Sequence, residues 1–371
     1  MPRRSLSLQT RIMNASKTLR TTLAAALALL LAAPAAGAGF ADPLDTPAQM
    51  SPLAAKSLLQ GVARAGNRLV SVGQRGHIVV SNDNGATWKQ SPVPVSSDLT
   101  AVYFVDDRLG WAVGHDGVIL HSGDGGDTWQ LQLDGRKAND LLVAAMERKL
   151  AAEPASATAK ALSAEAQRYK DQGADKPFLD VWFSDAKNGY VVGAYNLIFR
   201  TEDGGATWES LFDRTDNPKF FNLYAIRRAA NELYIAGEGG LVLKLDPASK
   251  RFVALTVPYK GSFFGVAGAG SAVLVYGLRG NVYRSDDAGK TWAKADAGLP
   301  AAIVSAARAS NGAILLADGG GRIASSADGG RTFAKVALKN PAPLTGFATI
   351  GSNNFVLVGP RGATVTEVAA P

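Results

Sequence analysis

A repeat of 41 residues constrains the fold of this chain more than any other feature of its sequence. The eight-residue motif Ser81-Asn-Asp-Asn-Gly-Ala-Thr-Trp88 recurs in four further copies that keep the Asp, the Gly two positions later and a final aromatic residue. Counting a worn copy at Asp246, the aspartates stand 41, 79, 43, 41 and 41 residues apart. Such a fixed period indicates stacked structural units, each packed against its neighbours. The Asp and aromatic positions are Asp83 and Trp88, Asp124 and Trp129, Asp203 and Trp208, Asp287 and Trp292, and Asp328 and Phe333.

Each repeat has the pattern of four short strands. In the second repeat these are Leu99–Phe104, Gly110–Val113, Val118–His121 and a strand that carries Trp129. Four strands per 41 residues is the dimension of one blade of a β-propeller. Seven first strands can be counted, near Gly61, Leu99, Leu179, Leu223, Phe264, Ile303 and Thr345. We therefore predict an all-β fold, a seven-bladed β-propeller over residues 39–371.

The seventh repeat lacks a fourth strand, because the chain stops after its third. An open sheet edge is costly to leave bare, and the residues before the first strand have no other assignment. We therefore predict that residues within 39–58 form the missing strand and pair with the outer edge of Ala363–Thr366.

The eight-residue motif has the chemistry of a tight turn. Its Asp can accept hydrogen bonds from backbone N–H groups of the same turn, its Gly allows positive φ, and its aromatic ring can pack over the turn. The motif resembles the Asp box of bacterial neuraminidase repeats. One carboxylate per turn is a thin ligand set for Ca²⁺, which takes six to eight oxygens. We expect structural turns, with no metal and no cofactor.

The 79-residue spacing contains an insertion at about 134–177, between blades 2 and 3. Segments 139–152 and 156–171 are rich in helix-forming residues, Pro154 separates them, and Gly173 can end the second. We predict a helical hairpin. An apolar stripe that includes Leu142 and Met146 is expected to pack on the propeller or within the hairpin, and contact with a partner protein is the alternative.

The first 38 residues have the pattern of a secretory signal peptide. A basic start precedes the apolar run Leu23 to Ala33, and Ala36-Gly37-Ala38 supplies the small residues of a cleavage site. We place cleavage after Ala38 and expect an exported, periplasmic protein, with the Sec and twin-arginine routes (Arg3-Arg4) both open. Five basic residues and no acidic one lie in this leader, so removing it lowers the net charge from +7 to +2. That balance argues against nucleic-acid binding. No later apolar run is long enough to span a membrane, and we expect a monomer.

The turn between the second and third strands has the form Gly-x-x-Gly in most repeats. Its third position is occupied, in blade order, by Arg75, Asp116, Tyr195, Gly239, Arg279, Gly320 and Arg361, and blade 6 adds Arg322 two residues later. Blades 5, 6, 7 and 1 are consecutive in a closed ring. We therefore predict that Arg75, Arg279, Arg322 and Arg361 form an arc that pairs with carboxylates of a partner. Solvated turns of mixed charge, with Asp116 and Glu238 on other blades, are the alternative.

Asp-box blades with Val-Gly-x-x-Gly before the third strand resemble the photosystem II stability/assembly factor family. The segments that carry the likeness are Val72–Gly76, Val113–Gly117 and Val358–Gly362. The resemblance implies an exported, non-catalytic propeller that serves as an assembly or stability scaffold for a membrane-associated protein complex. The insertion departs from the family pattern and leaves the identity of the partner open.

A carbohydrate-active propeller, either a sialidase-like hydrolase or a lectin, is the alternative function, because Asp boxes also occur in sialidases. Glycosidases use two carboxylates at a defined separation, and the resemblance to sialidases would add an arginine triad and an Arg-Ile-Pro motif, which is absent here. We assign no catalytic residue, and we expect no acidic residue to interrupt the apolar first strands, where a catalytic acid would sit. The three histidines, His77, His115 and His121, have no metal-ligand spacing. We therefore expect no enzyme activity.

Overall fold

The computed structural model describes residues 41–369, so the predicted leader and its cleavage site lie outside the described residues. Contacts divide the chain into one unit that ends at Asp42 and a second that begins at Pro43. The second unit contains seven antiparallel sheets, six of four strands and one of three. Within each sheet, every strand pairs with the strands next to it in sequence. This is the predicted seven-bladed β-propeller, with one sheet per blade.

The strands of the first four blades have the following bounds. Blade 1 comprises β1 Leu59–Ala65, β2 Arg68–Gly73, β3 Ile78–Ser81 and β4 Lys89–Gln90. Blade 2 comprises β5 Leu99–Phe104, β6 Gly110–Gly114, β7 Ile119–Ser122 and β8 Gln130–Leu133. Blade 3 comprises β9 Phe178–Phe183, β10 Gly189–Gly193, β11 Ile198–Thr201 and β12 Glu209–Ser210. Blade 4 comprises β13 Leu223–Ala229, β14 Glu232–Gly237, β15 Val242–Asp246 and β16 Arg251–Ala254.

The remaining blades complete the ring. Blade 5 comprises β17 Phe263–Ala269, β18 Ala272–Gly277, β19 Val282–Ser285 and β20 Ala293–Ala295. Blade 6 comprises β21 Ile303–Arg308, β22 Ile314–Asp318, β23 Ile323–Ser326 and β24 Ala334–Val336. Blade 7 comprises β25 Gly346–Ile350, β26 Asn354–Gly359 and β27 Gly362–Glu367. The first strands of the blades surround a central channel of about 440 Å³.

Seven hydrophobic clusters hold the blades together, and each cluster joins two consecutive blades. They form because the strands are rich in β-branched and aromatic residues whose side chains alternate between the two faces of a sheet, so each blade presents an apolar face to both neighbours. Leu59 and Leu69 of blade 1 pack with Val356 and Val358 of blade 7. Side-chain packing between the first and last blades therefore completes the circle.

The predicted closing strand is wrong for the described residues, because residues 41–58 contain no strand and blade 7 keeps three. Residues 43–58 instead form an N-terminal strap with one-turn helices at Pro43–Asp45 and Ala54–Lys56. The strap carries Pro43, Pro47 and Pro52. Proline has no N–H to donate to a strand ladder, which explains why this stretch does not extend blade 7.

The strap crosses blade 1 and contacts both of its neighbours. Ala48 N donates to Val93 O at 3.0 Å, and Leu44 and Ala48 are buried in the cluster of blades 1 and 2. At its other end Ala54 is buried in the cluster of blades 7 and 1. A Cβ on Gly362 would lie 2.0 Å from Ala55 O, and Gly362 has φ +85°, so only glycine allows this approach.

The insertion is a helical hairpin, as predicted, formed by α1 Gly135–Ala152 and α2 Ala157–Gln172. Asp134 caps α1 by accepting from Lys137 N, and Ser156 caps α2 by accepting from Ala159 N. Leu142 and Met146 of the apolar stripe are buried with Tyr169 of α2 and Phe212 of blade 3. The stripe therefore packs within the hairpin and on the propeller. Among the described residues, no helix has the length and apolar character needed to cross a membrane.

Candidate docking face

The turns between second and third strands lie on one face of the propeller, and they share a backbone conformation in five blades. The third turn residue is left-handed, with φ values of 54° at Arg75, 56° at Asp116, 52° at Tyr195, 64° at Gly239 and 57° at Arg279. A non-glycine residue in this region is uncommon. The conformation turns the chain sharply, and the side chains of Arg75, Tyr195 and Arg279 are exposed at the tips of their turns.

Three of the four predicted arginines are exposed and have no intramolecular partner for their guanidinium. Arg75, Arg279 and Arg361 are exposed, and within residues 41–369 none of them forms an ion pair or a side-chain hydrogen bond. Arg75 donates only its backbone N–H, to Asp98 Oδ1 at 2.6 Å. Burial lowers the pKa of the nearby His77, and the positive charge of Arg75 lowers it further. These guanidinium groups are therefore available to an external carboxylate.

Arg322 differs from the other three arginines, because it already has a partner. Its Nε donates to Asp318 Oδ2 at 2.9 Å, and the Asp318 side chain is fully buried. Asp318 Oδ1 also accepts from Gly320 N and Arg322 N, both at 3.0 Å. Arg322 thus binds a buried carboxylate of its own turn, so its guanidinium is less available to a partner than those of the other three arginines.

The acidic residues of this face are also bonded locally. Ser97 Oγ donates to Asp116 Oδ2 at 2.6 Å, and Asn222 N donates to Glu238 Oε2 at 3.3 Å. Each acid therefore ties its turn to the preceding linker. The unpaired charge at the turn tips of blades 5, 7 and 1 is positive.

Two apolar side chains on the same turns were not predicted as contact residues. Tyr195 is 52% exposed and Leu278 is 38% exposed. Tyr195 aligns with Arg75 in the repeat, so an aromatic residue at a turn tip was a signal available in the sequence. Aromatic and arginine side chains together are the residue types that dominate protein–protein contacts. The hairpin reaches this turn, because Tyr169 Oη donates to Tyr195 O at 3.0 Å.

The Asp boxes lie between third and fourth strands, at the opposite face. In each of the five copies, the Thr four residues after the Asp donates its backbone N–H and its hydroxyl to the carboxylate. The preceding Ser or Thr hydroxyl donates to the same carboxylate. Hydrogen bonds within the turn lower the pKa of Asp83, Asp203 and Asp287 to about 2, and the bond from the Thr hydroxyl has the largest effect. The carboxylate oxygens are thus used within the turn.

The box aromatics join neighbouring blades, which the sequence analysis did not foresee. Trp129 Nε1 donates to Gly126 O at 3.0 Å, and its ring packs edge-on against Phe104 at 6.1 Å in the cluster of blades 1 and 2. The other box aromatics likewise lie in the cluster shared with the preceding blade. Within residues 41–369, no group of three or more His, Asp or Glu side chains is placed to hold a metal ion.

The channel contains an acid that the sequence analysis missed. Asp180 interrupts the apolar strand β9 and is 4% exposed, so the assignment of no acid to the first strands is wrong. Burial raises the pKa of Asp180, and Arg227 opposes this by donating to Asp180 Oδ2. Among the described residues that line the channel, Asp180 is the one acid. A glycosidase of the usual kind needs two carboxylates, so this geometry does not favour the hydrolase alternative.

Comparison with known proteins identifies the fold family. The pattern of the family described as "Photosynthesis system II assembly factor YCF48" matches residues 64–159 and 159–316. The matched stretches span more than two thirds of the chain and meet inside α2. This chain belongs to the YCF48 family.

Two YCF48-family relatives are similar over shorter stretches. The photosystem II assembly lipoprotein Ycf48 of Synechococcus sp. (strain CC9902) is 29% identical over 145 residues, which is 38% of this chain and 43% of the relative. The chloroplastic photosystem II stability/assembly factor HCF136 of Cyanidioschyzon merolae is 46% identical over 48 residues, 12% of this chain and 11% of the relative. The matches therefore cover less than half of either relative. Both relatives are named as assembly factors, and neither is named as an enzyme.

Solved YCF48 structures share the fold. A structure described as YCF48 bound to D1 peptide superposes with a TM-score of 0.60 at 16% identity, over 85% of this chain and 95% of the other. YCF48 from Cyanidioschyzon merolae gives a TM-score of 0.58 at 18% identity, over 87% and 98% of the two chains. These likenesses establish that the YCF48 propeller architecture extends over the described blades.

Proposed function

We propose that this protein is an exported, non-catalytic scaffold that helps assemble or stabilise a membrane-associated protein complex. Its membership of the YCF48 family carries the proposal, since the named relatives are photosystem II assembly factors and a solved YCF48 is described with a bound D1 peptide. Export follows from the leader-like residues 1–38, with cleavage after Ala38 and a periplasmic location. The lipoprotein relative is consistent with export.

Docking takes place on the face that bears the Gly-x-x-Gly turns and the hairpin. Arg75, Arg279 and Arg361 project there as unpaired guanidinium groups, and Tyr195 adds an exposed aromatic ring. Arginine binds carboxylates in a bidentate geometry, so the partner surface is acidic. Arg322 lies on the same face, but it contributes less because Asp318 already binds it.

Charge reversal at two turn tips tests this proposal. We expect Arg75→Glu combined with Arg361→Glu to leave the melting temperature nearly unchanged, because neither side chain has a partner in the described fold. Binding to a membrane extract of the source organism should weaken by several kcal/mol, since reversal adds repulsion to the lost pairing. Binding of the unmodified protein should also weaken as salt rises toward about 1 M, where the screening length falls to about 3 Å.

The matched control reverses two exposed charges on the opposite face. Lys187 and Lys290 lie at the end of the blades that bears the Asp boxes, are exposed and have no side-chain partner among residues 41–369, so Lys187→Glu with Lys290→Glu changes the net charge equally. This control should bind as the unmodified protein does. An equal loss of affinity in both double variants would show that net charge alone causes the effect, and it would overturn the docking face. Binding that changes neither with salt nor with the substitutions at Arg75 and Arg361 would also overturn it.

A further inference from the structure

Blade 7 has an open outer edge, and the position of its missing strand can be defined by comparison with blade 6. In blade 6, the fourth strand pairs Val336 with Ile323, Lys335 with Ala324 and Ala334 with Ser325. Ile323 itself pairs with Ala317 of the second strand, as Ala363 pairs with Val358 in blade 7. The three equivalent residues of blade 7 are therefore Ala363, Thr364 and Val365.

The backbone groups of Ala363 and Val365 point away from the sheet. Residues of an antiparallel strand bond alternately to one side and to the other. Glu367 bonds outward, since its carbonyl accepts from Lys339 N at 2.9 Å, and Val368 N bonds inward to Asn353 O at 2.8 Å. Ala363 and Val365 lie four and two residues before Glu367 on the same strand, so their N–H and C=O groups face outward as those of Glu367 do. In the described part of the chain, neither residue has a backbone hydrogen bond on that side.

The open stretch is bounded at both ends. At one end, residues 338–340 lie beside the end of β27, with Leu338 bridged to Val368 and Asn340 N donating to Thr366 Oγ1 at 3.3 Å. At the other end the one-turn helix Ala54–Lys56 packs on Gly362. The gap is thus three residues, or roughly 10 Å, long. Fourth strands of two residues occur in blades 1 and 3, so a gap of this length is sufficient for a strand.

The gap itself carries no charged side chain, and the nearest charges lie at its two ends, Lys56 at one and the Lys339–Glu367 ion pair at the other. Val365 is 44% exposed, and Leu53, which directly precedes the one-turn helix on Gly362, is 60% exposed. Edge strands are usually protected by proline, lysine or a bulge. Residues 362–366 contain none of these residues, and β27 pairs with β26 without a register shift.

We propose that Ala363–Val365 is a strand-addition site that binds an extended segment of a partner protein in antiparallel pairing. Four unpaired backbone groups require an extended occupant without proline at the two pairing positions, and the exposed Val365 and Leu53 call for apolar side chains on it. A ladder this short is too small to hold a second copy of the chain, because stable interfaces bury about 1,200–2,000 Å². The site begins two residues after Arg361, but it uses backbone groups of the strand and no guanidinium, so it does not depend on the docking face proposed above.

The test uses a synthetic peptide with the sequence of residues 332–338, which contains the chain's own fourth strand from blade 6. Titrated into ¹⁵N-labelled protein comprising residues 39–371, it should shift the amide resonances of Ala363 and Val365 more than that of Thr364, whose N–H faces β26. In the peptide, the residues equivalent to Ala334 and Val336 face the site. Methylating both of their backbone nitrogens should raise Kd at least ten-fold, whereas methylating that of Lys335 should not change it.

A pair of protein variants provides a second readout. Val365→Pro removes the outward N–H and should abolish the shifts, while Val365→Ala keeps that N–H and should stay within about three-fold in Kd. Three results would overturn the proposal. The first is that no resonance shifts up to the solubility limit of the peptide. The second is that the two methylated peptides bind equally well. The third is that the amides of Ala363 and Val365 are already protected from hydrogen exchange in dilute protein without peptide. The peptide experiments need no altered protein, so they decide the question even if Val365→Pro fails to fold.

Discussion

Blades 2 and 7 have the same three inner strands and differ in how the outer part of the sheet is completed. In blade 2, Ser122 begins an Asp box that leads to Trp129 and the fourth strand β8. In blade 7, Thr366 occupies the position of Ser122, but no box follows. The strap covers one end of its outer edge and residues 338–340 cover the other. A blade can therefore be completed by its own turn or by distant segments of the chain.

The comparison assigns the Asp box a role between blades as well as within one. Trp129 belongs to blade 2 by sequence, yet it is 5% exposed because it packs with Phe104 and the residues of blade 1. Blade 7 has no box aromatic at its junction with blade 6, where Phe347 and Phe355 of its first two strands pack instead. The strap acts on the other side of blade 7, since Ala54 lies with Trp88 in the cluster that joins blades 7 and 1.

Removing the strap is expected to have the largest effect on stability. A mature chain that begins at Leu58 loses the buried side chains of Leu44, Ala48 and Ala54 and uncovers the cluster between blades 7 and 1. We expect the free energy of unfolding to fall by about 5 kcal/mol, from the lost apolar burial. Urea denaturation measures this loss, with a chain that begins at Ala41 as the control. Equal unfolding midpoints for the two chains would show that blade 7 needs no cover.

Removing one box aromatic should cost somewhat less. Trp129→Ala deletes a buried indole and its hydrogen bond to Gly126 O, and substitutions of this kind cost roughly 3–5 kcal/mol. Trp129→Phe is the matched variant, because it keeps most of the ring contact with Phe104 and loses the N–H donor. Urea denaturation should place Trp129→Phe between the unmodified protein and Trp129→Ala. A smaller loss for Ala than for Phe would contradict a packing role.

Removing the box carboxylate should have the smallest effect of the three. Asp124→Ala removes the acceptor for Thr128 N, Thr128 Oγ1 and Ser122 Oγ. The groups left without a partner should cost about 1–3 kcal/mol. Asp246→Ala in blade 4, where the box is worn, should cost less, since its three hydrogen bonds come from the exposed Ala248 and Ser249, whereas Asp124 also binds the buried Ser122. Partner binding by folded Asp124→Ala should equal that of the unmodified protein, and selective loss of binding would make the box a functional site.

The sequence predicted the strands of the repeat and the hairpin well, and it predicted the completion of blade 7 poorly. The strand β5 has the predicted bounds Leu99–Phe104, and the hairpin helices begin within four residues of the predicted starts. These features depend on local patterns, namely alternation, turn residues and helix caps. The closing strand was predicted wrongly. The strap's three prolines, which argue against a strand, are visible in the sequence, whereas its close approach to Gly362 joins distant segments and no local pattern encodes it.

The candidate site was predicted in the same uneven way. Register in the repeat correctly placed Arg75, Arg279 and Arg361 at equivalent turns, because residues at one repeat position share one face. The binding of Arg322 by Asp318 depends on a carboxylate turned inward at the end of β22, which the sequence does not distinguish from an exposed one. Asp180 stood visibly in an apolar strand, and its pairing with Arg227 of the next blade required the folded ring.

The sequence by itself determined the number of blades, the place of the hairpin and the absence of disulfides, because each follows from periodicity or composition along the chain. The tertiary structure decided which charges remain unpaired, how the first and last blades meet and where a sheet edge stays open. These properties depend on which distant segments come within hydrogen-bonding or van der Waals distance of each other. Contacts of that kind, such as the strap on Gly362 or Arg227 on Asp180, exist only once the ring has closed.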